Sequence, residues 1–382
     1  MINLQGVESN ATVARSIFPH SLTIQSWFDR PMRILIVSDA WTPQINGVVR
    51  TYQRTTRELT ELGHVAEVIG PDRFNTIPCP TYPEIKLAID AWYRLGGMIR
   101  DFDPDAIHIA TEGPLGSAAR RFCLKNDIPF SSSFHTRFPE YVEARCGFPA
   151  RYTYAWMRRF HAPSQAVMVP TESMRQALID HGFTNTRIWG RGVDTHIFKP
   201  EGDQTNRDFL GLPRPIYTYV GRVAVEKNIG QFLDLDLQGT KLVVGDGPQL
   251  SALRAKHPDV VFVGSKEGED LVRHYQASDV FVFPSRTDTF GLVLIEALAC
   301  GVPVAALPVT GPIDVVANGR VGYLDADLTR AAQSALALSR EACRDYALGF
   351  SWERAVGQFL EGLFPFHPVE KFPLEPMEKL SP

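Results

Sequence analysis

Twice along its length this chain sets short, strand-like runs, most of them largely apolar, between stretches of helical spacing, and that alternation constrains its fold more than any other feature. Arg33–Val37, His64–Ile69, Ala106–Ile109, Pro129–Phe134 and Ala166–Val169 form the first series; Ile216–Val220, Lys241–Val244, Val260–Val263, Val280–Phe283 and Val302–Ala305 form the second. Short apolar runs of this kind are what strands covered on both faces look like. Between the first two, Asn46 and Gly47 open a helical stretch from Val48 to Leu62, and Gly63 ends it. Strands alternating with helices predict a parallel sheet with helices on both faces. The restart after residue 200 predicts a second such domain, so the expected class is α/β, two doubly wound Rossmann-like domains facing a central cleft. In each, a ligand crevice lies outside the carboxyl ends of the strands.

The 382 residues suit two domains. The expected division is an extension over 1–31, a first domain over 32–197, a polar linker from Phe198 to Asn206, a second domain over 207–350, and a terminal helix and tail over 351–382. Trp352, Val356, Phe359, Leu360 and Leu363 give the segment from Ser351 its helical spacing. No run of eighteen apolar residues exists, so no membrane-crossing helix is expected. The first thirty residues lack the pattern of a secretory signal. Five cysteines form no CxxC pair and no metal-ligand spacing, which fits a reduced, cytoplasmic protein. The net charge of −4 is uneven: residues 1–200 carry 22 Lys and Arg against 19 Asp and Glu, and the remainder carries 17 against 24. A basic first half on an acidic protein points to an anionic surface met by that half.

The richest segment follows Phe283. A loop carries Asp288, Gly291 makes a turn, and a helix opens near Leu292. A helix start leaves backbone N–H groups unpaired and its dipole favours negative charge, so a phosphate suits Thr289, Phe290, Gly291 and Leu292. Glu296, one turn in, is placed for ribose hydroxyls, and Asp288 for a second polyol; the two are eight residues apart. An ordinary strand–loop–helix unit with two solvated acids fits that spacing equally well. Arg222 and Lys227, after the first strand of the second half, offer a planar fork and a point charge to one diphosphate. Gly47 lets backbone approach a phosphate. Asp39 ends the first strand and His135 ends another. HExxH and similar metal patterns are absent.

Asp288, Phe290, Gly291 and the run from Glu296 to Pro303 resemble the signature of glycosyltransferase family four, retaining nucleotide-sugar transferases of GT-B fold. The family's first acid is Glu. The Asp version is similar to a subset that holds GDP-mannose-dependent α-mannosyltransferases and enzymes that glycosylate diacylglycerol. The resemblance spans about Met32 to Leu363. It implies a UDP- or GDP-sugar as substrate, no cofactor and no metal. Arg222 and Lys227 match its diphosphate element, and His135 its histidine near the reacting carbon; with Asp288 these make the implied catalytic set. Gly47 matches the loop that meets the distal phosphate and acceptor. Asp39 then faces the acceptor, or caps that loop, with Thr136 and Tyr141 as acceptor neighbours. Gly264 and Ser265 match the place where the base is read, beside a Gly245–Pro248 turn. In this family the leaving phosphate is thought to take the acceptor's proton.

Residues 137–161 interleave five arginines with seven aromatics. That composition suits an interfacial helix on anionic lipid, or a packed helix with a solvated arginine face. The resemblance favours the lipid: a membrane lipid acceptor such as diacylglycerol, with the protein peripheral on the inner face of the cytoplasmic membrane. Alternatives are a mannosyl lipid or glycan acceptor, and a GT-B epimerase or sugar-nucleotide binder. Nucleic acid is not expected of a net acidic chain without a recognised binding fold.

Overall fold

A computed structural model describes residues 31–44, 46–79, 82–200 and 208–366. The expected extension and most of the linker and tail lie outside them. In the first half the strands are β1 (Arg33–Val37), β2 (Val65–Ile69), the hairpin β3 (Thr76–Cys79) with β4 (Tyr82–Ala88), β5 (Ala106–Ile109), β6 (Ser131–Ser133), β7 (Ala166–Val169) and β8 (Thr186–Ile188). In the second they are β9 (Ile216–Val220), β10 (Thr240–Val244), β11 (Val261–Gly264), β12 (Val280–Phe283), β13 (Val304–Ala306) and β14 (Gly322–Leu324).

Two parallel sheets result, ordered β2-β1-β5-β6-β7-β8 and β11-β10-β9-β12-β13-β14. The expected α/β architecture of two Rossmann-like halves is therefore present. Each order reverses beside its first strand: the chain leaves β1 toward β2 and returns to β5 on the other side, and leaves β9 toward β10 and returns to β12. Those reversals are the switch points where ligand crevices open. In the first half the hairpin β3–β4 stands apart from the main sheet.

The strand cores are apolar for the reason the sequence suggested. Ile34, Leu35, Ile36 and Val37 are fully buried, as are Val280, Phe281 and Val282. Helix Gly47–Glu61 starts where Asn46 caps it, its side chain accepting from Val48 N and Val49 N at 3.0 Å each.

The terminal helix, Trp352–Glu361, crosses back to the first half. Val356, Phe359, Leu360 and Leu363 share one core with Met32, Ile34, Ile36 and Tyr52. The return begins before residue 197: Val193 N donates to Phe350 O at 2.9 Å, and Arg344 donates to the carbonyls of Thr195 and Phe198. Chain from about Val193 is thus bonded to the second half, upstream of the linker expected from Pro and Gly content. No described helix is long and apolar enough to cross a membrane.

Candidate functional site

The carboxyl ends of the two sheets meet at Thr289. Its hydroxyl donates to His135 O at 2.7 Å, and its own carbonyl accepts from Thr171 Oγ1 at 3.3 Å. Thr171 follows β7 and His135 follows β6, so the loop after β12 rests on the ends of two neighbouring strands of the first sheet. Ser173 braces the same contact, bonding Asp314 through both its N–H, at 2.9 Å, and its hydroxyl. Gly47 opens its helix facing the same loop: a Cβ there would lie 4.0 Å from Leu292 Cδ1.

Helix Leu292–Ala299 begins as expected. Gly291 is its N-cap at φ +83°, a conformation L side chains avoid, and a Cβ there would sit 3.0 Å from Leu294 Cδ1 and 3.2 Å from the Phe283 ring. Glu296, only 7% exposed, accepts from Tyr275 Oη at 2.9 Å, and Arg50 Nη1 reaches it from the other half at 3.9 Å. Burial pushes its pKa up, opposed by Arg50 and by the Tyr275 hydrogen bond. Lys227 Nζ contacts Asp288 Oδ1 at 2.5 Å, while Asp288 Oδ2 is buried with no hydrogen-bond partner among the described residues. Arg222, more exposed, lies 3.8 Å from Glu226. The loops after β9, β10 and β11 are laced together: Gly221 N donates to Val244 O, Val223 N to Asp246 O, and Gly245 N to Gly264 O. A Cβ at Gly245 would come within 1.9 Å of Gly221 O, which is why glycine stands there. Ser265, next along, is exposed.

The structure therefore brings Arg222, Lys227, Asp288, Thr289, Phe290, Gly291, Leu292, Glu296, Gly264 and Ser265 to one edge of the second sheet. Gly47 and His135 face that edge from the first half.

Two expected roles change. Asp39, with one oxygen, accepts from Leu115 N at 2.8 Å; the other takes Thr111 Oγ1 at 2.8 Å and Gly116 N at 3.2 Å. Its side chain caps helix Pro114–Lys125 and neither faces an acceptor nor caps the Gly47 loop, the two options its position allowed. Burial raises its pKa against those hydrogen bonds.

His135 is the other. Its Nδ1 lies 3.1 Å from Arg191 Nη2 and its Nε2 2.8 Å from Tyr52 Oη. Arginine only donates, so Nδ1 must accept and Nε2–H must donate to the tyrosine. Burial, then Arg191 and the neighbouring histidines, hold the ring well below its ordinary pKa, so it is neutral. Both ring nitrogens are thus taken by the first half, and what His135 gives the junction is its backbone carbonyl.

Thr136 is exposed on the same loop. The side chain of Tyr141 lies outside the described residues. The 137–161 segment folds as helices Phe138–Cys146 and Ala150–His161, and the second has one packed face and one exposed face. Thr153, Tyr154, Met157, Phe160 and His161 pack inward, whereas Arg151, Tyr152, Trp156, Arg158 and Arg159 are exposed. Among the described residues no group of three or more His, Cys, Asp and Glu is placed to hold a metal ion.

Spacing did not reveal Arg50, Tyr275, Thr171 or Asp314, because each meets its partner across the fold. Comparison with known proteins agrees with this architecture. The pattern described as Glycosyltransferase Family 4 matches residues 45–197, and that described as Glycosyl transferases group 1 matches 214–341. A GDP-mannose-dependent alpha-mannosyltransferase of Mycobacterium tuberculosis is 30% identical, over 77% of this chain and 83% of that protein. An alpha-monoglucosyldiacylglycerol synthase of Streptococcus pneumoniae is 27% identical, over 72% of this chain and 71% of that one. Among solved structures, the sucrose-phosphate synthase of Thermosynechococcus elongatus superposes with a TM-score of 0.71 at 20% identity, over 86% of this chain and 97% of that one. The chain belongs to glycosyltransferase family 4 and is a hexosyltransferase of GT-B fold.

Proposed function

We propose that this hexosyltransferase moves a hexose, with retention at the reacting carbon, from a nucleoside diphosphate sugar to a membrane lipid, with diacylglycerol as acceptor. The observation that carries the lipid assignment is the outer face of helix Ala150–His161. Tyr152 and Trp156 are 51% and 48% exposed, and Phe148, 48% exposed, lies with its ring centroid 5.5 Å from that of Tyr152, among exposed Arg151, Arg158 and Arg159. Aromatic side chains settle at headgroup depth, and each cation near an anionic surface adds about 1 kcal/mol. The enzyme then works as a peripheral protein on the inner face of the cytoplasmic membrane.

The donor's diphosphate lies on the start of helix Leu292–Ala299, within reach of Arg222 and Lys227, whose preorganised charge stabilises the leaving group without a metal. Glu296 takes the ribose and the unpartnered oxygen of Asp288 takes a sugar hydroxyl. Gly264 and Ser265 lie where the base would be read. With His135 neutral and its ring nitrogens engaged, the acceptor's proton goes to the leaving phosphate as the bond to the acceptor oxygen forms.

The relative named a GDP-mannose-dependent alpha-mannosyltransferase favours a second reading, in which the same chemistry uses GDP-mannose and a mannosyl lipid or glycan. A panel of UDP- and GDP-sugars incubated with the protein and diacylglycerol vesicles, followed by mass spectrometry of the lipid, tests both. A hexose-shifted diacylglycerol supports the first. Its absence, with nucleotide released only on addition of a mannosyl acceptor, replaces it with the second.

A further inference from the structure

We propose that Glu112 is the carboxylate that orients the acceptor hydroxyl for attack. It follows β5, and β1 and β5 flank the switch point of the first sheet, where a ligand crevice opens at the carboxyl ends. Two acids reach that edge. Asp39, after β1, spends both oxygens on Thr111 and the start of helix Pro114–Lys125, which follows β5. Glu112 spends one: Oε1 lies 3.1 Å from His161 Nε2, and Oε2 has no partner among the described residues.

The residue is built to hold that position. His161 is 1% exposed; its Nδ1 lies 2.8 Å from Ser132 Oγ, which donates to Ser164 Oγ at 3.0 Å, which in turn donates to His161 O at 2.8 Å. A closed buried network therefore fixes the imidazole, and the imidazole fixes the carboxylate. Glu112 itself keeps a side chain 21% exposed. A solvated surface acid needs no such clamp.

Its distance from the donor follows from the sheet. Thr289 of the donor loop rests on His135 after β6, and β5 is the next strand. Neighbouring strands lie roughly 5 Å apart, so the loop that carries Glu112 leaves the sheet one strand from the strand that leads to that contact. There Oε2 accepts the hydrogen bond of the incoming hydroxyl and turns its lone pair toward the sugar. As the acceptor oxygen bonds to the anomeric carbon, the bond from that carbon to the diphosphate oxygen breaks, and the proton passes to the diphosphate. Glu112 orients the hydroxyl and ends the step unprotonated.

The inference deepens the reading above and depends on it only for the acceptor used as probe. Wild type, Glu112→Ala and Glu112→Gln are compared with whichever UDP- or GDP-hexose the wild type binds, in two arms: transfer to dioleoylglycerol in anionic vesicles, and slow donor hydrolysis with water as acceptor. Loss of one hydrogen bond to a charged group predicts about a tenfold rise in acceptor KM for Glu112→Ala and about a tenfold slower hydrolysis. Donor Kd by calorimetry stays at its wild-type value, the thermal midpoint of Glu112→Ala falls by a few degrees because buried His161 Nε2 loses its partner, and Glu112→Gln, which keeps an acceptor oxygen, recovers most of the loss. Wild-type kinetics in both arms, or an equal loss of donor affinity, overturns the proposal. Wild-type hydrolysis without transfer to dioleoylglycerol removes the lipid reading, and the hydrolysis arm still decides Glu112. If Glu112→Ala does not fold, Glu112→Leu, which fills the space without an acceptor oxygen, decides alone: a raised acceptor KM or slowed hydrolysis at unchanged donor Kd supports the role, and unchanged kinetics refute it.

Discussion

Replacing Lys227 separates two contributions that one contact combines. Its ammonium lies 2.5 Å from Asp288 Oδ1, with side chains 25% and 20% exposed, and the second Asp288 oxygen is buried without a partner among the described residues. Lys227→Met leaves that carboxylate without its closest cation. A hydrogen bond between charged groups is worth about 1.5–3 kcal/mol, and partial exposure lowers this to about 1–2 kcal/mol through solvent screening. Thermal unfolding should therefore fall by a few degrees. Turnover should fall much further, about a hundredfold or about 2.7 kcal/mol of barrier, because a preorganised charge on the leaving diphosphate is lost. Adding Asp288→Asn removes the stranded charge, so the double variant regains stability and stays slow. Calorimetric unfolding and kcat under saturating donor measure the two terms separately. A double variant that regains turnover along with stability would refute the diphosphate role and reduce the lysine to a structural counterion.

Glu296→Ala should weaken donor binding by about tenfold or more, as loss of hydrogen bonds to a charged group implies; wild-type affinity by calorimetry would refute the ribose assignment. Burial raises the Glu296 pKa above 4.5, so the fold favours its protonated form: its contribution to stability grows as pH falls through that raised value, while donor affinity, which needs the carboxylate, falls over the same range. Titrations of Kd and of unfolding midpoint against pH should move in opposite directions at this group. Trp156→Ala with Arg158→Ser and Arg159→Ser should reduce sedimentation with anionic vesicles by about tenfold or more, on about 1 kcal/mol per cation plus the lost aromatic anchor, with donor Kd unchanged; undiminished sedimentation would remove this helix as the docking face. EDTA should leave turnover intact, and loss of activity restored by a divalent cation would show that Arg222 and Lys227 do not carry the leaving charge alone.

Much of the fold was legible because buried parallel strands declare themselves. β1, β5, β7, β9 and β12 fall where continuous apolar runs stand. The hairpin β3–β4 was missed because Pro78 and Pro83 interrupt it and Glu84 and Lys86 break its apolar content. β8 and β14 hold three residues each, Thr186–Ile188 and Gly322–Leu324, too short to show a period. In the Val302–Ala305 run, Val302 N still bonds Ala297 O to turn out of helix Leu292–Ala299, and the chain joins β12 only from Pro303 O, which accepts from Phe281 N. In each case the sequence carries the pattern only where burial on both faces imposes it.

The site follows a different logic. Its second-half residues were readable because one strand–turn–helix places Asp288, Gly291 and Glu296 by local geometry. What those residues touch was not readable: Lys227 meets Asp288 across 61 positions, and Thr289 meets His135 across 154. Local spacing also misassigned side chains of the right type at a strand end. Asp39, His135 and Glu112 all follow strands of one sheet, yet Asp39 is consumed by a helix start, the His135 ring by Tyr52 and Arg191, and only Glu112 keeps an open oxygen. Which of three polar groups at one edge remains free is decided by what the crossover helices require, and those requirements exist only after the sheet has formed. The Thr-Glu-Gly-Pro stretch around Glu112 reads as a plain turn for that reason; its His161 clamp lies 49 residues away, on the helix whose other face carries Trp156 and the exposed arginines. On the proposed reading, one helix holds the Glu112 carboxylate with its inner face and presents Trp156 and the exposed arginines to the membrane with its outer one, so docking on lipid and orienting the lipid's hydroxyl would be linked through a single element.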